Sequence, residues 1–215
     1  MITRTRYFPS LWQKLTSVPT DVSVTLIGMP GSGKSYWGNK LSAMYRRRVL
    51  ELDDYIEQKA GRSLLELTAE GASGERLLTF LENDVMRGVM KRHMINQNNG
   101  VIVSPGGSCV HASCAPEFFG QLNNVVVYLD VPFDVLAERT MDFTNRGIVF
   151  GAHTPHTLKA ERDVLYKHFA DVQVTMAPEK IDLESELLVT ENKVPAQDVL
   201  DFLWRGMGYV GEMNK

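Results

Sequence analysis

The residues most able to do chemistry stand close together near the start of the chain. Gly28-Met29-Pro30-Gly31-Ser32-Gly33-Lys34-Ser35 is a glycine, four residues, then Gly-Lys-Ser, the pattern of a phosphate-binding loop. Glycines let successive backbone N–H groups turn inward around a phosphate without Cβ clashes. Lys34 would reach the β and γ phosphates, and the Ser35 hydroxyl would ligate Mg²⁺. The loop follows the apolar run Ser23–Gly28 and opens a segment of helical periodicity, the context this motif requires. The pattern predicts a nucleoside-triphosphate site formed by Met29, Pro30, Gly31, Ser32, Gly33, Lys34 and Ser35. Among such proteins, the lack of an Asn-Lys-x-Asp guanine-reading motif lowers the GTPase reading, and small size favours a small-molecule kinase.

A second group of residues follows at Glu51 and Asp53, two apart at the expected carboxyl end of a strand, so that both point to one face. In an open α/β sheet that end binds ligands. One carboxylate there can join a Mg²⁺ shell, and the other can take a proton from an attacking hydroxyl. The spacing alone equally allows plain helix N-terminal acids.

These residues need a scaffold, and the chain supplies one. Apolar runs near 23–28, 48–52, 101–104, 124–129 and 171–174 alternate with helical segments. That is the pattern of an α/β three-layer sandwich with a five-stranded parallel sheet. The stretch 141–156 shows no clear period and is expected to be a lid. Residues 177–193 are polar and ambiguous, and 195–204 read as a final helix.

The chain has 215 residues, 44% of them hydrophobic, with 23 basic against 26 acidic side chains. This is enough for one domain with a full core. The balance argues against a nucleic-acid surface, and no apolar run approaches the roughly 20 residues of a membrane span. Two cysteines, Cys109 and Cys114, make no disulfide framework, which fits a reducing compartment. The domain organisation expected is therefore 1–21 as an N-terminal arm or targeting segment and 22–215 as the nucleotide-binding domain. The arm has Arg4, Arg6 and Lys14 with no acid before Asp21, a transit-peptide composition without the apolar core of a secretory signal. A cytoplasmic location is expected, with an organelle as the alternative. The run Tyr45-Arg46-Arg47-Arg48 reads as a solvated helix end, and His153 and His156 as loop residues rather than a metal pair.

Over most of its length the sequence resembles the shikimate kinases. The resemblance is carried by the phosphate loop, by Leu52-Asp-Asp-Tyr-Ile-Glu57 with Gly61, and by Gly74-Glu75 leading to Glu82. It continues through Val103-Ser-Pro-Gly-Gly107, Val127-Tyr-Leu129, Asn145-Arg146 and Glu161-Arg-Asp-Val-Leu-Tyr166 with Ala170-Asp171. It implies a P-loop fold of the nucleoside-monophosphate-kinase type and ATP- and Mg²⁺-dependent conversion of shikimate to shikimate 3-phosphate, a step of aromatic amino-acid biosynthesis. Other small hydroxylated acids, or a non-catalytic nucleotide-binding role, are the alternatives. The expected partner is a small acceptor with hydroxyl and carboxylate groups, without nucleic acid or membrane; the sequence leaves the oligomeric state open, with a monomer favoured.

By position, the resemblance implies that Asp53 holds the acceptor hydroxyls and serves as base. Glu51 stands at the Mg²⁺ shell beside Ser35, where the family usually has Asp. Gly106 and Gly107 line the acceptor site, Arg162 clamps the acceptor carboxylate, Arg139 packs on the adenine, and Arg146 swings onto the phosphates from the lid. Three positions depart from the pattern. A second carboxylate-binding arginine is Thr79 here, preceded by Leu78, with Arg76 as the nearest substitute; the third site glycine is Ser108; and the lid reads Arg146-Gly-Ile-Val149.

Overall fold

The structure is a computed structural model and describes residues 3–6, 22–94, 100–121, 123–140, 153–176, 181–182 and 186–189. After a short strand β1 (Thr3–Arg6), the domain opens with β2 (Ser23–Ile27), all five residues of which are buried. Burial on both faces is the signature of a central parallel strand. Its two polar residues are satisfied inside the sheet: Thr25 Oγ1 donates to Asn124 Oδ1 at 2.8 Å, and Ser23 Oγ accepts from Val101 N at 3.2 Å.

Next come α1 (Lys34–Tyr45), β3 (Val49–Glu51), α2 (Leu52–Ala60), α3 (Leu64–Ala69) and α4 (Ala72–Val89). The short connections are set by local chemistry. Gly61 ends α2 in the left-handed region at φ 67°. Ser63 and Glu66 then form a reciprocal capping box that starts α3. The long helix α4 passes into a π turn, Met90–Met94. There follow β4 (Ile102–Ser104), a 3₁₀ turn at Cys109–His111, α5 (Ala115–Phe119), β5 (Asn124–Asp130) and α6 (Phe133–Thr140). Last are α7 (Pro155–Phe169), β6 (Val172–Met176), β7 (Ile181–Asp182) and β8 (Glu186–Val189).

The strand order is β1-β8-β6-β5-β2-β4-β3. Its core, β6-β5-β2-β4-β3, is parallel throughout, which is the five-stranded parallel sheet expected from the alternation. Beyond β6 the sheet continues with antiparallel neighbours, β7 and β8, and β1 pairs antiparallel with β8. β7 and β8 fall in the tract after 176, which the sequence leaves ambiguous, and β1 in the N-terminal arm. From β2 the chain builds the sheet first on one side, with β3 and β4, and then on the other, with β5 and β6. The carboxyl ends around β2 therefore open a crevice.

The solvated reading of the basic run fails at one residue. Arg47 is 9% exposed and donates through Nη1 to the carbonyl of Val22, so it fastens the start of β2; Arg46 and Arg48 are exposed as expected. Cys109 and Cys114 are free, buried thiols. His153 Nε2 lies 3.0 Å from a carboxylate oxygen of Glu161, and His156, expected in a loop, lies instead in the first turn of α7, edge-on against Phe133; among the described residues no cluster of three or more His, Cys, Asp or Glu side chains is placed to hold a metal ion. No helix among the described residues is long and apolar enough to cross a membrane. The expected arm at 1–21 contributes β1, and the lid up to residue 152 and the final helix at 195–204 lie outside the described residues.

Candidate active site

The turn after β2 wraps back on itself through glycines that need their conformations. Gly31 and Gly33 have φ of 83° and 92°, and Gly33 sits at the N-cap of α1. Gly28 has no room for a side chain, because a Cβ there would stand 2.8 Å from the carbonyl oxygen of Leu129 on β5. The loop is closed by Ser32 N donating to Met29 O at 3.0 Å. Lys34 Nζ donates to the carbonyls of Gly28 and Met29 at 3.0 and 3.1 Å. Burial pushes its pKa down, opposed by the charges of Asp53 and Glu51. The Ser32 hydroxyl is buried and makes no hydrogen bond among the described residues.

Glu51 ends β3, and Asp53 lies in the first turn of α2; both face the same cleft. Ser35 Oγ donates to Glu51 Oε2 at 3.0 Å, while Glu51 Oε1 is buried with no hydrogen-bond partner among the described residues. A hydroxyl beside an orphaned carboxylate oxygen is a donor set that fits a hard divalent cation completing its shell with phosphate oxygens and water. Asp53 is held above the ordinary carboxylate range by burial, opposed by the charge of Lys34.

The cleft has a volume of about 590 Å³, the size of a small-ligand site. Pro30, Gly31, Gly33, Lys34 and Ser35 line it from the loop, Glu51 from the end of β3, Asp53 from the start of α2, and Gly106 and Gly107 from the turn after β4. Arg139 of α6 and Arg162 of α7 also reach it. Met29 and Ser32 are buried beneath the loop instead of lining the cleft, and Arg146 lies outside the described residues.

Close approach explains the two later glycines. A Cβ on Gly106 would stand 2.7 Å from Asp53 Oδ1, and one on Gly107 would stand 2.8 Å from Pro30 Cδ and 3.2 Å from Arg162 Nη1. The turn therefore brings the α2 carboxylate, the phosphate loop and the α7 guanidinium to one place. Helix α7 is anchored on two sides. Leu158, Arg162 and Tyr166 form its buried stripe. Lys159 pairs with Asp130 at 3.2 Å and with Asp163 at 2.6 Å, which ties the helix to the end of β5.

Glu82 is a site residue to which the sequence assigns no role, and Ser108 stands at the third site-glycine position. Both line the cleft, and the Ser108 hydroxyl donates to Glu82 Oε1. Burial raises the Glu82 carboxyl to about 7, against the pull of the Ser108 hydrogen bond. The available signal is position: Glu82 falls on the apolar stripe Leu78, Leu81, Val85 of α4, all buried. Thr79 is exposed and spends its hydroxyl on the Glu75 carbonyl at 2.9 Å, Arg76 does not line the cleft, and Leu78 does.

A glycine-rich loop opening a helix at the carboxyl end of a parallel sheet, with buried carboxylates across a cleft, defines a P-loop phosphotransferase. The family model described as shikimate kinase matches residues 30–191. The chain is 33% identical over 154 residues to the shikimate kinase of Mycobacterium avium, covering 69% of this chain and 81% of that one. It is 32% identical over 184 residues to the shikimate kinase of a Synechococcus species, covering 81% and 90%. Among solved structures, the shikimate kinase from Acinetobacter baumannii in complex with shikimate has the same fold. Its TM-score is 0.62 at 23% identity, covering 90% of this chain and 97% of that one. The Aquifex aeolicus enzyme gives 0.58 at 24%, covering 87% and 99%. The chain belongs to the shikimate kinase family, phosphotransferases that act on a hydroxyl group with ATP as the phosphoryl donor.

Proposed function

We propose that this protein transfers the γ-phosphoryl group of ATP to a hydroxyl of shikimate, giving shikimate 3-phosphate. The observation that carries the reading is the meeting of Asp53, Gly106, Gly107 and Arg162 beside the phosphate loop. A carboxylate and a guanidinium so placed suit a small polyol acid between them. Lys34 and the loop N–H groups hold the phosphates, and Arg139 borders the nucleotide end. Asp53 accepts a hydrogen bond from the attacking hydroxyl and takes its proton, a role helped by its raised pKa. Arg162 orients the acceptor through its carboxylate. Arg146 completes the charge neutralisation from the lid in this reading. Ser35 and Glu51 would hold Mg²⁺, which when bound offsets the charge of the phosphates. The domain would comprise residues 22–215, with 141–156 as the lid that excludes water.

The test is ADP release from MgATP with and without shikimate, run beside Asp53→Asn. Shikimate-dependent turnover that falls by at least ~100-fold in the variant supports the reading. ATP binding without shikimate-dependent turnover refutes it and directs the search to other small hydroxylated acids.

A further inference from the structure

Glu82 projects from α4 with 7% of its surface exposed. Its Oε1 accepts the Ser108 hydroxyl, and a Cβ on Gly106 would stand 3.6 Å from that oxygen and 2.7 Å from Asp53 Oδ1. Glu82, Gly106 and Asp53 therefore meet at one point of the cleft, with Arg162 acting on Glu82 from α7. Helix α4 offers the acceptor an apolar side chain, Leu78, and this carboxyl; Thr79, one residue beyond Leu78, is turned to solvent.

A carboxylate acceptor changes the balance at Glu82. Arg162 favours the charged form of Glu82 in the folded protein. An acceptor carboxylate that pairs with Arg162 cancels that attraction and adds a like charge nearby, and both effects drive Glu82 to its neutral form. We propose that Glu82 is an acceptor-specificity residue of this chain: an anionic acceptor draws a proton from solvent onto its carboxyl as it binds, and the Ser108 hydroxyl holds that carboxyl in place. This rests on the function proposed above, in which the acceptor carries a carboxylate.

The groups facing Glu82 are consistent with such a role. They are Asp53 from α2, Ser108 and Cys109 from the turn after β4, Cys114 before α5, and Arg162 from α7. Burial pushes both thiols up, so they stay protonated near neutrality. Burial also raises Asp53, and a Glu82→Gln variant separates its titration from that of Glu82. Glu82 itself, at about 7, changes charge in the range where the proposal places the uptake.

The experiment is the KM for shikimate at saturating MgATP, followed from about pH 6 to about pH 9, in the wild type, Glu82→Gln and Ser108→Ala. In the wild type the KM rises above neutrality, approaching ~10-fold per pH unit. Glu82→Gln loses that rise and keeps a lower KM at the alkaline end. Ser108→Ala moves the rise to higher pH, because the lost hydrogen bond had favoured the charged carboxyl. A wild-type slope retained in Glu82→Gln, or an unmoved midpoint in Ser108→Ala, overturns the proposal; should Glu82→Gln fail to fold, Ser108→Ala decides alone. Absence of shikimate turnover at every pH overturns the proposed acceptor and this inference together. Turnover with a flat pH profile overturns only the inference.

Discussion

Tyr166 of α7 donates its hydroxyl to the carbonyl of Gly107 at 2.7 Å. The bond is fully buried, and the Tyr166 ring stacks on Tyr128 of β5 with centroids 5.1 Å apart. One turn earlier on the same helix stands Arg162. The phenol therefore ties the acceptor turn to the helix that carries this guanidinium.

Replacing Tyr166 by Phe keeps the stacked ring and removes only the hydroxyl. The Gly107 carbonyl is left without that donor, at an expected cost of about 1–2 kcal/mol in unfolding free energy. The KM for the acceptor should rise several-fold while the KM for ATP stays put. Denaturant titration and paired steady-state kinetics measure the two effects; an unchanged acceptor KM would show that the turn holds its place without the bond.

Gly106→Ala introduces a methyl group 2.7 Å from Asp53 Oδ1. Either the turn or the carboxylate must give way, so kcat/KM for the acceptor should fall by at least ~10-fold. Nucleotide affinity, read by ADP titration, should be retained because the phosphate loop is untouched. Loss of both would mean that the turn also shapes the nucleotide half.

Lys34→Met should abolish the rise in melting temperature that ADP gives the wild type and lower turnover by ~100-fold or more. The apo protein should not be weakened, since burial already disfavours the ammonium. Thermal scans with and without ADP check both statements.

Glu82 also makes stability depend on pH. Its carboxyl is raised from 4.5 to about 7, so between those values the native state holds a proton that the unfolded chain has released. This stabilising contribution is complete below pH 4.5 and is lost as pH rises through about 7; its full size is on the order of 3 kcal/mol. Glu82→Gln should therefore gain stability relative to wild type at pH 8 and show little or no gain at pH 5. Urea unfolding at the two pH values is the measurement, and equal differences at both would contradict the assignment.

What the sequence discloses follows from how local the signal is. The phosphate loop is contiguous, its glycines demanded by backbone geometry, so Gly28 to Ser35 can be read directly. Five apolar runs separated by helical segments disclose the parallel sheet, because strands buried on both faces carry no alternation to misread. Glu82 stands out in the sequence only as part of a family pattern: an acid on a long helix usually faces water, and only its place on the Leu78–Leu81–Val85 stripe marks it. Arg47 escapes for the same reason, as one member of a basic run that buries its guanidinium on Val22 O. Strands β7 and β8 lie at the sheet's margin: β7 is only two residues long, and the short apolar run Leu187-Leu188-Val189 of β8 sits among charged residues, so that pairing with β6 defines them.

The pairing of β2 has a consequence for how the chain acquires its shape. Thr25 and Asn124, joined by a hydrogen bond inside the sheet, are 99 residues apart, and the carbonyl that packs against Gly28 belongs to Leu129. The first strand of the domain core thus waits for roughly half the chain before its neighbours exist. Such distant contacts slow folding, since the intervening chain must be ordered before they form. During synthesis the phosphate loop can take its final form only after β5 has left the ribosome, so nucleotide can stabilise the finished sheet but not nucleate it.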